Sequence, residues 1–384
     1  MSESEGWVPL SDPDISQAEL AAVQDVLTSP RLSQGTMVAA FESAFAAYTG
    51  REHAIAAGSG TLGLLLVLKA MGIGPGDEVI ASPYSWHQIA QAITLAGAKP
   101  VFADIDYWAG TLAPDKAEAK ITPLTRAILG GNTNGHPAPW AALRELATRH
   151  GLSLIEDSTE AIGSTYQDKP VGSFGDCAVF DFSQPGMLVC GEGGMVVTDD
   201  ADIARHIRQL RNRRLDERFS VVVGGSVPYQ AGISELTAAL GLTQLQRIDA
   251  ILARRKQVEA VYYDRIKSFE GIKDPYIAPD VTLVHWFLYL VHLGTRFSKS
   301  SRDAIVNDLS TEQIESAAYC QPLQLQAFYT GQGYRKGNYF VTEKVADRAL
   351  ALPFHGHLSE DQVGFIVKTA KDASLNVGAG SAIY

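Results

Sequence analysis

Apolar residues along the chain follow two periods. Residues 15–48 repeat at about 3.6 residues, in SQAELAAVQDVL and VAAFESAFAAYTG, which predicts two amphipathic helices with Gly50 closing the second as a C-cap. HAIAAGSGTLGLLLVLKAMG then predicts a short strand, a Gly-Ser-Gly-Thr turn and an apolar helix. From Asp77 the periods alternate: DEVIASPY as strand, SWHQIAQAITLAG as helix and KPVFADI as strand, continuing through RAILGG, PWAALRELATRHG, LSLIED and CAVFDF. That alternation predicts an α/β fold with a mostly parallel sheet covered by helices on both faces, and ligands at the carboxyl ends of its strands. A long helix (QLQRIDAILARRKQVEAVYYDRI) leads into a smaller α+β part, with TLVHWFLYLVHL as a strand-like run and SSRDAIVNDLS as a helix. The expected division is a large α/β domain over 1–250, N-terminal helices included, and a small C-terminal α+β domain over 251–384. The last dozen residues read as loosely packed.

Composition narrows the function classes. The chain has 384 residues, 46% of them apolar, enough for a large core. Its net charge of −11 argues against a nucleic-acid or membrane-surface partner. The N-terminus MSESEGWVPLSD lacks the basic and apolar regions of a signal peptide, and no run of about 18 apolar residues suggests a membrane span. Three cysteines without C-x-x-C spacing, Cys177, Cys190 and Cys320, point to a reducing compartment and no zinc site, so the cytoplasm is the expected location.

The stretch with most chemistry runs from Ile155 to Gly194, IEDSTEAIGSTYQDKPVGSFGDCAVFDFSQPGMLVCGEGG. Glu156-Asp157, Gly163, Gly172, Gly175-Asp176 and Gly191-Glu192-Gly193-Gly194 fall on the pattern E-D-x-A-Q-x-x-G, G-x-x-G-x-x-G-D, F-S-F-x-x-x-K, G-E-G-G. In this the chain resembles the DegT/StrS family of sugar aminotransferases that use pyridoxal phosphate (PLP). Further matches run from about residue 8 to residue 374: Pro9-Leu10-Ser11, Phe41-Glu42, Ser59-Gly60-Thr61, Ser234-Glu235-Leu236 and the segment from Tyr319 to Leu323. The resemblance implies the fold-type-I architecture of PLP transferases, with a homodimer whose sites are shared between subunits. It assigns Ser59, Gly60 and Thr61 to the cofactor phosphate, Trp86 to stacking on the ring, and Asp157 to the ring nitrogen. A glycine-rich turn entering a helix suits an anion on physical grounds as well.

The chain departs from the family at several of these positions. Gly186 stands where the family's lysine holds PLP covalently. Asp181 replaces the serine of F-S-F, Glu160 the glutamine near the PLP oxygen, Gln230 an asparagine that reaches the phosphate across the dimer, and Gly232 an arginine. The expectation is therefore a pocket without a cofactor, with noncovalent PLP or pyridoxamine phosphate as the alternative. Asp157, Glu160 and Asp181 would be the catalytic groups, pushing one another's pKa values upward for acid–base work such as isomerisation, dehydration, cyclisation or condensation of a polar small molecule. Trp86, His87, Ser183 and Tyr319 would line the same pocket, and Arg213 and Arg214 would bind an anionic group or be a solvated turn. Cys190 has no histidine partner at local spacing that would make it a nucleophile. Whether the chain is an enzyme stays open at this point. A PLP-independent enzyme of sugar or natural-product (antibiotic) biosynthesis stands beside an inactive partner of an active aminotransferase.

Overall fold

The computed structural model describes residues 6–212, 227–267, 272–273 and 275–380. Arg213 and Arg214 lie outside them. Two N-terminal helices, α1 (Gln17–Thr28) and α2 (Thr36–Thr49), precede the strand β1 (His53–Ala57) and the helix α3 (Gly60–Ala70). Next come β2 (Glu78–Ala81), the helix α4 (Gln88–Leu95), β3 (Lys99–Phe102), β4 (Thr125–Gly131) and β5 (Ser153–Asp157). A small hairpin, β6 (Thr165–Tyr166) and β7 (Lys169–Pro170), leads to β8 (Cys177–Asp181) and β9 (Gly194–Thr198). Seven of these strands form one sheet in the order β1-β9-β8-β5-β4-β2-β3. Every pairing is parallel except the two made by β9. The expected α/β class and mostly parallel sheet are what the chain adopts.

The helical N-terminal region divides as its periodicity predicts, and Gly50 ends α2 in the left-handed conformation (φ 69°). The start of α2 has no cap of its own. The buried carboxylate of Glu235 supplies one, accepting the amides of Gly35, Met37 and Val38 at 2.9, 2.9 and 3.0 Å. A carboxylate on three helix-start amides combines capping with a favourable dipole interaction. Glu235→Ala should therefore cost about 2–3 kcal/mol of unfolding free energy in a urea titration, and Glu235→Gln less.

The smaller sheet has the order β10-β12-β14-β13, built from β10 (Ile272–Lys273), β12 (Tyr289–Leu293), β13 (Ala317–Ala318) and β14 (Ala349–Leu352). The strand-like run TLVHWFLYLVHL is not one strand. Its start is β11 (Val281–Leu283), which pairs with the hairpin, and its end is β12. Between them the backbone is satisfied by side chains: Asn134 bonds the N–H and C=O of Leu288, and Arg255 donates to the carbonyls of Trp286 and Phe287. The end of the chain also differs from expectation. The helix Glu360–Gly380 takes in residues 373–380 of the segment read as loose, and Ala373 and Ser374 are buried; residues 381–384 lie outside the described residues. Residue 250 falls in the first turn of the helix Ile248–Ile266, which leads from the helix Glu235–Gln246 toward the smaller sheet. No helix among the described residues is long and apolar enough to cross a membrane.

Candidate active site

Strand alternation decides where the acidic residues point. On β8, Phe180 packs against Phe45 of α2 with ring centroids 4.9 Å apart, and Phe182, one residue past the strand, packs against Phe41 and Phe45. Asp181 between them faces the other side of the sheet, toward α3. On the neighbouring parallel strand β5, Glu156 and Asp157 face opposite ways for the same reason. The result is two carboxylates, Asp157 and Asp181, at the carboxyl ends of adjacent strands beneath the starts of α3 and α4.

Glu156 is structural. Its fully buried carboxylate accepts the amides of Gly172, Phe174 and Gly175 at 2.6, 2.9 and 3.2 Å, and bonds to Asn132 and Ser158. It folds the glycine-rich turn Gly172–Gly175 against the interior strands β5 and β8. Gly172 is required there: its φ is +92°, and a Cβ would come 2.7 Å from the Phe180 ring. Gly194 of G-E-G-G is required by close approach, because a Cβ would lie 2.6–2.7 Å from the backbone of Ser59 and Gly60.

Asp157 is 4% exposed and both its oxygens accept from the Gln88 side-chain amide, at 3.1 and 2.9 Å, with the Thr159 amide on one of them. Burial is the main cause that raises its pKa, opposed by these bonds, and the Asp181 charge adds to the rise. Gln88, 1% exposed, also donates to Thr159 Oγ1 at 2.6 Å. At the other end of the pocket, Asp181 accepts the Gly60 amide at 2.6 Å through Oδ2, and the Ser183 amide and hydroxyl through Oδ1. A helix N-terminus is thus satisfied by the protein's own anion. Ser59 is occupied too, its hydroxyl capping α3 at the Leu62 amide.

Glu160 lies on the turn after β5. Its Oε2 accepts the Asn134 amide at 2.6 Å and the Tyr319 hydroxyl, while its Oε1 is buried without a partner. Burial pushes its pKa up to about 7, the two bonds oppose the rise, and the Asp157 charge adds to it. The expected mutual repulsion of the carboxylates is therefore the smaller cause, and desolvation the larger. None of the ion pairs or hydrogen bonds among the described residues ties a lysine or arginine to Asp157, Glu160 or Asp181.

The other expected pocket residues are brought together unevenly. Tyr319 is buried, its ring edge-on to Tyr84 at 5.5 Å, and Tyr84 donates to the Tyr319 carbonyl. Trp86 is half-buried and is met edge-on by Phe287 at 6.3 Å and obliquely by His87 at 5.2 Å. His87 is exposed at the start of α4 and caps nothing with its side chain. Thr61 is half-buried on the first turn of α3, and Gln230 is exposed with a left-handed backbone (φ 52°). The Gln230 segment touches the turn before α3, where Ala231 O accepts the Gly58 amide at 2.6 Å. Cys190 is buried, and burial drives its thiol well above the ordinary value, which removes it as a nucleophile. Gln88, Thr159 and Asn134 were missed from the sequence. Their one visible signal is position: Thr159 and Asn134 lie just past the carboxyl ends of β5 and β4, where α/β sheets bind ligands, and Gln88 opens the helix that follows β2.

Comparisons with known proteins place this geometry. The chain is 34% identical over 377 residues to the spore coat polysaccharide biosynthesis protein SpsC of Bacillus subtilis, covering 95% of this chain and 97% of that one. It is 36% identical to the GDP-perosamine synthase of Caulobacter vibrioides, covering 87% and 89%. Its fold is similar to that of the putative sugar aminotransferase Spr1654 of Streptococcus pneumoniae in a PLP form, at 26% identity and a TM-score of 0.91, covering 97% and 99%. The same protein is also known in a pyridoxamine phosphate form, with a TM-score of 0.90 at 25% identity over 96% of this chain and 100% of that one.

These forms overturn the expectation that no cofactor belongs to the fold's pocket: the relatives point to PLP. The side chains present here can be set against that group, which asks for an anchoring amine, a carboxylate for the ring nitrogen and donors for the phosphate. Gly186, the position the resemblance sets against the anchoring lysine, has no side chain, and a Cβ on it would lie 3.0 Å from Ser183 O and 3.2 Å from Val189 Cγ1. Asp157 is present but held by Gln88, and the Gly60 amide is held by Asp181. In this arrangement the residues present do not fit the group. Kinship itself is plain from the whole length: the model of the DegT/DnrJ/EryC1/StrS aminotransferase family matches residues 13–371, and the chain belongs to that family.

Proposed function

We propose that the chain is an enzyme of sugar or polysaccharide biosynthesis that acts on a nucleotide-linked sugar, with Glu160 as the group that takes and returns a proton. The observation that carries this is Glu160 itself: one oxygen is clamped by Asn134 and Tyr319, and the other is buried with no partner. A carboxyl poised near neutrality and fixed in orientation is suited to general acid–base work. Tyr319 and Asn134 position it, and Asp157 supplies a neighbouring charge. One relative is named as a GDP-perosamine synthase, a maker of a nucleotide-linked sugar. A sugar carbonyl makes the adjacent C–H acidic enough for such a base. The working unit in this reading is a cytoplasmic homodimer with the site completed across the interface.

The test is solvent deuterium exchange. Nucleotide-diphosphate ketosugars would be incubated with the protein in D2O, with PLP and pyridoxamine phosphate both present in excess. Incorporation of one deuteron beside the carbonyl, read by mass spectrometry, is expected. An absence of incorporation across GDP-, UDP- and TDP-linked ketosugars would overturn the reading.

A further inference from the structure

An aromatic cluster sits where the loop after β3 meets the segment ahead of β11. Trp108 is 56% exposed, Tyr276 40% and Tyr107 36%. Large rings exposed together in this way mark a contact surface. Their backbone is firmly held. The Trp108 and Ala109 amides both donate to Asp106 Oδ1 at 2.8 Å, and the Gly110 amide returns to the Asp106 carbonyl. Across from this loop, the Ala278 amide donates to His136 Nε2 at 3.0 Å, and the His136 ring lies within 14° of parallel to Tyr276. Trp108 and Tyr276 thereby form an open V, with centroids 6.2 Å apart and planes tilted by 47°.

The V leads into a narrow cleft whose buried side is lined by Tyr84, Thr133, Asn134, His136 and His292. Its enclosed part has a volume of about 20 Å³, room for about one hydroxyl or water. Four of those five side chains are already engaged. Tyr84 donates to the Tyr319 carbonyl and Thr133 to the Gly110 carbonyl, and Asn134 bonds both backbone groups of Leu288. His136 uses one nitrogen on Pro137 O and the other on the Ala278 amide. His292 is different: its ring makes no hydrogen bond among the described residues. It shares a face of β12 with Leu290, while Tyr289 and Val291 point into the core. Burial lowers its pKa to about 4, so at neutral pH it is an uncharged imidazole with one donor and one acceptor. No lysine, arginine, aspartate or glutamate lines the cleft.

We infer that this cleft binds a neutral saccharide, a pyranose whose C–H face rests on Trp108 and Tyr276 and whose one inward hydroxyl meets His292. The lining selects this class. Without a charged side chain it has no partner for a phosphate, a carboxylate or an ammonium group. A hydroxyl both donates and accepts, which matches a neutral imidazole, and one hydroxyl is what the enclosed space admits. The rings supply rigid apolar contact area, and the remaining hydroxyls of the sugar stay in water. A nucleobase suits the cleft less well. It needs parallel plates and several in-plane partners, whereas these rings are tilted and a single buried side chain is free. None of Asp157, Glu160 and Asp181 lines the cleft, so the inference does not rest on the role given to Glu160.

The experiment is a titration of the full chain with cellotriose, mannotriose and chitotriose, followed by saturation-transfer NMR and by tryptophan fluorescence. At least one trisaccharide should bind with a Kd of about 1 mM, with saturation reaching its pyranose C–H protons. Trp108→Ala should weaken that binding about tenfold, and Trp108→Phe should restore most of it. His292→Leu should weaken it about threefold. Trp108 is exposed, so its variants keep the fold, which circular dichroism confirms. The neutral nucleosides uridine and guanosine should not displace the sugar. The inference is overturned if none of the three trisaccharides binds the wild type, or if Trp108→Ala binds as tightly as the wild type. Displacement of the sugar by uridine or guanosine would also overturn it, and would assign the cleft to a nucleobase.

Discussion

Replacing Glu160 by glutamine is expected to lower proton exchange on a nucleotide-linked ketosugar by about 10²–10⁴-fold while leaving the protein folded. Glutamine preserves the shape of the side chain and can still accept from Asn134 and Tyr319, so the pocket geometry survives. What it lacks is a proton that comes and goes. In the wild type the carboxyl, raised to about 7 chiefly by burial, is half ionised near neutral pH. As a base it acts in the ionised form, so the exchange rate should rise with pH through about 7 and level off above it. The same shift has a stability consequence of opposite sense. The folded-state pKa lies above the ordinary value of 4.5, so folding favours the protonated form. Its contribution is fully present below pH 4.5 and is lost as pH rises toward about 7. Glu160→Gln should abolish that slope in melting temperature between pH 5 and 7, a change of a few kcal/mol at most. If the rate survives the substitution, the proton is moved by another group.

The largest stability effect is expected at Glu156. Its carboxylate satisfies three backbone amides of the Gly172–Gly175 turn and two further side chains, with no exposure to water. Glu156→Ala leaves all of those donors buried and unpaired, which costs on the order of 3–5 kcal/mol. The loss should appear as a lowered denaturation midpoint in urea with an unchanged slope. Glu156→Gln keeps one accepting oxygen and should recover part of it. Loss of less than 1 kcal/mol in the alanine variant would mean that the turn is held by packing alone.

Much of this architecture was legible in the residues, and for identifiable reasons. The alternation of strand and helix periods from Asp77 onward foretold the parallel sheet, and Gly50 foretold the end of α2, because both depend on local pattern and backbone conformation. The run Thr282–Leu293 misled because its apolar content looks like one strand. Two distant polar residues, Asn134 and Arg255, hold the middle of it out of any ladder. The same limit applied at the site. Asp157, Glu160 and Asp181 were visible as departures from, or matches to, a motif. Their separate environments were not: Asp181 is spent on a helix start, Asp157 on Gln88, and Glu160 alone keeps an open oxygen. Gln88 sat unnoticed at the head of an apolar helix because nothing in its own segment marks which carboxylate it meets.

The most direct measurement is a titration of the glutamate side-chain carboxyls by carbon-13 NMR, in the full chain labelled at glutamate and in its Glu160→Gln variant. One carboxyl signal titrating close to pH 7 in the wild type, and missing from the variant, is the result expected for a desolvated Glu160 acting as proton carrier. If all the glutamates titrate at ordinary carboxylate values, or if the signal near pH 7 persists in the variant, the central role assigned to Glu160 is contradicted.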